Sequence, residues 1–420
     1  MQCLVSGCYT PEVGLFGKRF FLVNVLKVAC VAILFATAYA YPRDVFAEEG
    51  DFFRPYMGIT QGYDSNLRRF NSRETALAAT GSSETSDTFT RKEVGVILDK
   101  QISLQKLYAD ISVNDTRYNR NSDIDNDGKK ALGRWGWQVG NHLQGNVEAS
   151  HEESLVPFAD YRGLELNQRT IDRRLFDATW RFHPSWQVRS AISRSEMEFS
   201  AVSQQRANLN ENAQELGVDY LSPSLSKIGI QYRHVRGDRP VPLQVGILLV
   251  DNSYDQNELK AKVDWMYSGK TQLQFLGGLV ERKHDEFSER DYSGFNSRLN
   301  LNWAATGKTL VNISTWREIG GQSYVTSSYI LSRGISLGLS WLVTGKVTVQ
   351  GNLRYDNQDF QGDINSHRVD TYRSSSVSLL YKATDALSLN ATLNRSTRIS
   401  TNELLEFASS GAFLSAQYAF

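Results

Sequence analysis

Gly411-Ala-Phe-Leu-Ser-Ala-Gln-Tyr-Ala-Phe420, at the end of the chain, changes character from residue to residue. Leu414, Ala416, Tyr418 and Phe420 fall on one face, and Ser415, Gln417 and the small Ala419 on the other. Successive side chains of a strand point to opposite faces, so this is a strand with one apolar side. An aromatic residue at its very end suits the closing strand of an outer-membrane β-barrel. Any half-buried strand alternates in this way, so the segment carries weight only if the chain supplies its partners.

Working back along the chain, the partners are there. Leu387, Leu389, Ala391 and Leu393 oppose Ser388, Asn390, Thr392 and Asn394, and the turn Thr384-Asp385 leads back to Val377, Leu379 and Tyr381. Val347, Val349, Leu353 and Tyr355 follow the turn Thr344-Gly345-Lys346, which Ile335, Leu337, Leu339 and Trp341 enter. Leu299, Leu301 and Trp303 precede Thr306-Gly307-Lys308. Weaker copies of the unit run through Leu259 to Tyr267, Phe176 to Phe182, Leu107 to Val113 and Phe53 to Gly62. Short turns alternate with longer polar loops, such as Asn71 to Asp87, Asn119 to Lys130 and Asp238 to Asp251. The last of these holds the apolar run Val245 to Val250, readable as a strand extension or an inward-folded loop. Trp180, Trp265, Tyr267, Trp303, Trp341 and Tyr381 sit just before tight turns, where an aromatic girdle belongs.

The pattern predicts an all-β, transmembrane antiparallel up-and-down barrel of about 18 strands, with 16 as the alternative. Apolar faces of four or five residues match strands of about 9–11 residues spanning a bilayer, and no second apolar set is visible to plug an interior. Hydrophobic residues make up 41% of the 420 but aromatics reach 11%, which suits an outer apolar band with aromatic rims rather than a large packed core. Basic and acidic side chains balance at 46 each, which argues against nucleic acid as a partner.

Cys3, Cys8 and Cys30 all lie near the start, so the rest of the chain has no thiol for a disulfide, a metal or catalysis. Lys18, Arg19 and Lys27, followed by the apolar run Val28 to Ala40 and the small-residue pattern Val45-Phe46-Ala47, read as a secretory signal over residues 1–47. Residues 48–420 then form one barrel domain, delivered to the bacterial outer membrane by the barrel assembly machinery. Tyr418 and Phe420 serve as the assembly signal in this reading.

Several segments resemble the EpsL-type exopolysaccharide biosynthesis proteins found with PEP-CTERM/exosortase systems. They are Tyr63-Asp64-Ser65-Asn66-Leu67, Phe158-Ala159-Asp160-Tyr161-Arg162-Gly163, Arg173-Arg174-Leu175-Phe176-Asp177-Ala178 with His183-Pro184-Ser185-Trp186, Arg290-Asp291-Tyr292-Ser293-Gly294 and Thr306-Gly307-Lys308. The resemblance implies an outer-membrane barrel that takes part in exopolysaccharide export, with the glycan and periplasmic export components as partners, and it implies no catalytic residues. A general porin for small solutes is the alternative, and a barrel-borne lipid- or glycan-modifying enzyme a third reading.

Little chemistry is visible for an enzyme. The six histidines are scattered without metal-ligand spacing, and no serine sits in a nucleophile motif. Asp123, Asp125 and Asp127, followed by Gly128, resemble the start of a calcium loop, but the twelfth position is Arg134 rather than Glu. Ca2+ is therefore only a weak expectation, beside the commoner reading as a solvated turn, and no cofactor is expected. On the inferred parity Arg134, Arg181, Lys260, Lys262, Arg298 and Arg354 face the lumen together with Asp110, Glu148, Asp177 and Asp264. They are the candidate functional surface.

Overall fold

A computed structural model of the chain describes residues 52–420 apart from 225, 246, 287, 321–328 and 362–366. The expected signal segment lies outside the described residues. What is described is one sheet of 18 strands. Its members are β1 (Phe53–Asp64), β2 (Asp87–Ile102), β3 (Gln105–Tyr118), β4 (Asn126–Val139), β5 (Leu143–Leu155), β6 (Gln168–His183), β7 (Trp186–Phe199), β8 (Leu209–Leu221) and β9 (Lys227–Asp238). After a short separate ribbon, β10 (Leu243–Val245) and β11 (Leu248–Val250), they continue as β12 (Tyr254–Ser268), β13 (Thr271–His284), β14 (Tyr292–Thr306), β15 (Thr309–Gly320), β16 (Tyr329–Leu342), β17 (Val347–Gln361), β18 (Arg368–Lys382), β19 (Leu387–Ser400) and β20 (Phe407–Ala419). Each barrel strand pairs antiparallel with the next, and β1 closes on β20 with Tyr56 opposite Ala419 and Asp64 opposite Gly411. The terminal Phe420 adds its N–H to the Pro55 carbonyl at 2.9 Å, so the seam is bonded to the last residue.

The two-residue period decides which face each side chain takes. Trp303, Val311, Leu339, Gly351, Val377, Leu393 and Ala412 are consecutive register partners and form one outward row across seven strands. The girdle residues Trp180, Trp265, Tyr267, Trp303, Trp341 and Tyr381 are all exposed on that outer face. Tight connections lie at one end of the barrel. Two of them need left-handed backbone, supplied by Gly140 at φ 59° and, less comfortably, by Ser103 at φ 55°.

The other end departs from the expectations. The polar stretch after β1 contains a helix, α1 (Arg73–Thr80), capped by the Ser72 hydroxyl at its start and by left-handed Gly81 at its end. The loop read as Asn119 to Lys130 is shorter, because β4 begins at Asn126. The residues at Val245 and from Leu248 to Val250 do not extend the barrel sheet; they belong to the separate β10–β11 ribbon, where Ile247 is 98% exposed. Apolar residues also occur inside this end. Leu67, Ile124 and Phe158 form one buried cluster, Val156, Phe199 and Ala207 another, and Val280, Tyr292, Tyr329 and Leu331 a third. The strand pattern could not show them because most come from loops or strand ends.

The parity has a direct test. Val377 is exposed to the outside and Ser376 faces inward. Val377→Arg should destabilise the barrel in liposomes by about 2–4 kcal/mol, the cost of a cation near the bilayer midplane, and Ser376→Arg by far less. Equal losses in urea unfolding would show that the faces are misassigned.

Candidate functional site

The inner wall is built from ion pairs between neighbouring strands. Arg134 on β4 meets Glu148 on β5 at 2.6 Å, and Lys130 meets Asp110 on β3 at 2.6 Å. Asn146 donates to Asp177 at 3.0 Å. Arg298 holds Glu318 through two bonds, the shorter at 2.6 Å. Lys260 and Arg233 converge on the buried Glu258 at 2.6 and 3.1 Å, and Gln272 donates to Asp264 at 2.7 Å. Arg181 donates to the Pro184 carbonyl in the adjacent tight turn. Each candidate cation with a polar partner here thus stiffens the wall. Pairs this exposed contribute little stability singly, so their larger effect is to fix where charge sits around the lumen.

Two inward groups had no sequence signal. Trp316 on β15 lies between the guanidiniums of Arg298 and Arg354, at 5.6 and 4.6 Å from its ring centre. Its indole N–H donates to Ser332 at 2.9 Å, and Ser332 donates in turn to the buried Asp356 at 2.6 Å. The ring lies over Gly334, where a Cβ would meet it at 2.3 Å, so that position must stay bare. Across the barrel, Arg189 binds Asp219 at 2.7 Å and Glu215 at 3.2 Å, with Gln187 also donating to Asp219. A polar-in, apolar-out alternation makes the inward Trp316 look like a break in the pattern, although its N–H partners explain it.

The most constrained part is the mouth, at the end away from the tight turns. Asp64, nearly buried, accepts from Arg69 at 2.8 Å, from the Ser409 hydroxyl at 2.6 Å and from the Asn66 N–H at 2.8 Å. Asn66 in turn clamps Phe70, donating to its carbonyl at 2.7 Å and accepting from its N–H at 3.0 Å. Arg68 pairs with Asp123 and donates to Asn121, while Asn121 binds the buried Asp87. The loop at 156–167, between β5 and β6, reaches the opposite side of the seam. Arg162 donates to the carbonyls of Leu404 and, at 2.6 Å, Leu405; Arg398 donates to Ala159 at 2.6 Å and to Leu405 at 2.7 Å. Arg69, Arg162 and Arg398 all stack on Phe407, at 5.2 to 5.6 Å.

Phe407 and Arg398 face inward, because the register places them on the side opposite Leu393 and Ala412. The loop therefore bridges over the lumen rather than around the outside. Between β5 and β20 lie five strand spacings of about 4.8 Å, roughly 24 Å along the wall, which the loop spans as a chord. In the loop between β13 and β14, hydrogen bonds from Arg236 hold the Asp285 carboxyl below its usual range.

The calcium expectation meets a different arrangement. Asp123 pairs with Arg68 in a short 3-10 turn, Asp125 accepts from the Tyr118 N–H at 2.7 Å, and Asp127 accepts from Arg117 at 3.2 Å. Because β4 begins at Asn126, Asp127 lies in extended backbone, whereas Asp123 lies in the preceding 3-10 turn. Among the described residues no group of three or more His, Cys, Asp or Glu side chains is placed to hold a metal.

A closed antiparallel sheet, apolar outside and ion-paired inside, with loops folded over one mouth, defines a porin-type β-barrel of the bacterial outer membrane. The chain belongs to the family described as "Putative beta-barrel porin 2", whose model matches residues 48–419. No curated protein matches the chain significantly. Among solved structures, OpdK of Pseudomonas aeruginosa aligns at a TM-score of 0.48 and 11% identity over 88% of this chain and 99% of that one. OccAB3 of Acinetobacter baumannii aligns at 0.45 and 7%, over 88% and 99%. A mutant of the ferric enterobactin receptor PfeA of Pseudomonas aeruginosa aligns at 0.44 and 9%, over 88% and 81%.

The Asp64 hub is the point to break. Asp64→Ala strands Arg69 without its carboxylate, a change that costs about 3–5 kcal/mol at buried pairs. The expected outcome is a barrel that still resists heat and detergent but is cut by trypsin between Arg68 and Arg73. A loop as resistant as the wild type would show that Asp64 does not hold it.

Proposed function

We propose that the protein is a diffusion channel for small polar solutes across the outer membrane. The observation that carries this reading is the loop at 156–167, tied by Arg162 and Arg398 to the loop at 401–406 over the lumen. A barrel of 18 strands encloses a wide aqueous lumen. Narrowing by an inward loop converts such a lumen into a passage with a size limit. The paired charges below the mouth present both signs to the solute, which supports weak selection for polar molecules and no strong preference for anions or cations. Tyr418 and Phe420 act, in this proposal, as the terminal signal for assembly.

Export of an exopolysaccharide, which the resemblance of the Asp64 and Arg162 segments implies, is the narrower reading. Those same segments build the mouth brace, so the residues behind the resemblance support a braced entrance rather than naming a cargo. The brace favours small solutes over a continuous hydrated glycan, which would need the loop to move aside. Among the described residues an enzymatic role has no comparable cluster in its favour.

Conductance distinguishes these possibilities. In planar bilayers Arg162→Ala should raise single-channel conductance by about half or more, because the loop loses the bonds that hold it across the mouth. Liposomes with the wild type should swell in monosaccharides and exclude large dextrins. No conductance from the wild type, with intracellular retention of exopolysaccharide in a deletion strain, would reverse the order of the two readings.

A further inference from the structure

Above the apolar belt, outward cations generally sit against acids. Arg117 faces Asp127, Lys129 faces Glu153 at 2.7 Å, Arg236 faces Asp285 at 2.6 Å and Lys283 faces Glu281 at 3.0 Å. Among the described residues Lys92 on β2 and Arg174 on β6 stand singly without an ion pair, whereas the sector from β16 to β19 gathers three such cations. Arg333, Arg373 and Arg395 are exposed on odd positions that continue the outward rows of Leu337, Val377 and Leu393, and none has an ion pair among the described residues. Arg373 only leans over Tyr355, at 5.8 Å.

Their depth is set by the strands. The run from Tyr381 in the girdle to Arg373, at about 3.3 Å per residue and a tilt of about 40°, rises roughly 20 Å. Arg373 and, slightly lower, Arg395 therefore stand where the hydrocarbon meets the headgroups of the outer leaflet. Between them the outer surface is concave. A groove of about 620 Å³ is lined by Ile335, Leu353, Tyr355, Arg373, Arg395 and Thr397. A second, of about 450 Å³, adjoins it further into the bilayer, where Leu339, Gly351, Val377 and Leu393 line it below Arg395, which the two grooves share. Gly351, in the second groove, has open space where a side chain would be, and the small Ser375 lines both grooves.

We infer that this face binds a phosphorylated, acylated lipid of the outer leaflet. A phosphate would accept hydrogen bonds from the Arg373 and Arg395 guanidiniums, for which no acid of the described wall competes, and an acyl chain would lie in the slot over Gly351 and Ser375. Guanidinium is the side chain best suited to a phosphate, with planar paired donors. Two exposed cations at the rim of hydrocarbon are costly without such a counter-ion, and an apolar groove continuing below them fits a lipid better than a free anion. The inference depends on the outward parity and the membrane depth, not on what the lumen carries.

Native mass spectrometry of the full-length protein in detergent tests it, with diphosphoryl lipid A as the probe. The wild type should retain the lipid, and dephosphorylated lipid A should bind at least about tenfold more weakly. Arg373→Gln with Arg395→Gln should cause a similar loss while leaving the heat-resistant folded band unchanged, since both side chains are exposed. Ser375→Phe should weaken retention by filling the slot with both arginines intact. Equal retention of the dephosphorylated lipid would overturn the inference, even if the double variant failed to fold. So would full competition by inorganic pyrophosphate, or a dimer of the chain that the arginine changes dissociate, which would make the groove a contact between copies.

Discussion

Within the hydrocarbon of a bilayer no water reaches an unpaired backbone N–H or C=O, and each one left open costs several kcal/mol. Everything else in this molecule follows from satisfying that constraint with strands. The sheet has to close, and it closes where β1 meets β20, in a register that runs from Tyr56 opposite Ala419 to Asp64 opposite Gly411. Closure fixes the outward rows, and the outward rows fix the lumen. The C-terminal strand is therefore half of the seam, and the terminal Phe420 completes it through its bond to Pro55.

The seam also organises the mouth. Asp64 is the last residue of β1, and Ser409 and Phe407 open β20. Their side chains gather Arg69, Arg162 and Arg398 around one aromatic ring. A guanidinium stacked on a ring keeps its edge free for hydrogen bonds, which is why Arg162 and Arg398 can hold loop carbonyls at the same time. The loop from the far side of the barrel is thus fastened to the strand pair that closes it. Barrel closure and the brace across the mouth share the same residues.

Strand existence and facing were legible because a two-residue period is written locally. Leu387 to Leu393 and Val347 to Tyr355 each declare their outward side without reference to any partner, and the structure keeps both. The polar face opposite those rows is written in the same period, but its pairing is not: Arg134 with Glu148 depends on a register between strands. The mouth was not legible. Its contacts join residues more than 200 positions apart, as Arg162 with Leu404 and Arg398 with Ala159 do, and no pattern within a strand encodes them. Helix α1 left a trace in Ser72 and Gly81, which cap it, but its eight residues are too few for an apolar stripe. The calcium-like run has the spacing of a curled loop, and the start of β4 at Asn126 straightens it.

The central claim is that the 156–167 loop is held as a chord across the lumen. Leu164 and Leu404 are both exposed, and the described barrel contains no native cysteine, so each position can carry a spin label. Pulsed electron paramagnetic resonance on the Leu164→Cys, Leu404→Cys double variant in lipid bilayers measures their separation directly. A single narrow peak at short distance is expected, lost when Arg162→Ala is added. A broad distribution centred near the width of the barrel, unchanged by that substitution, would contradict it.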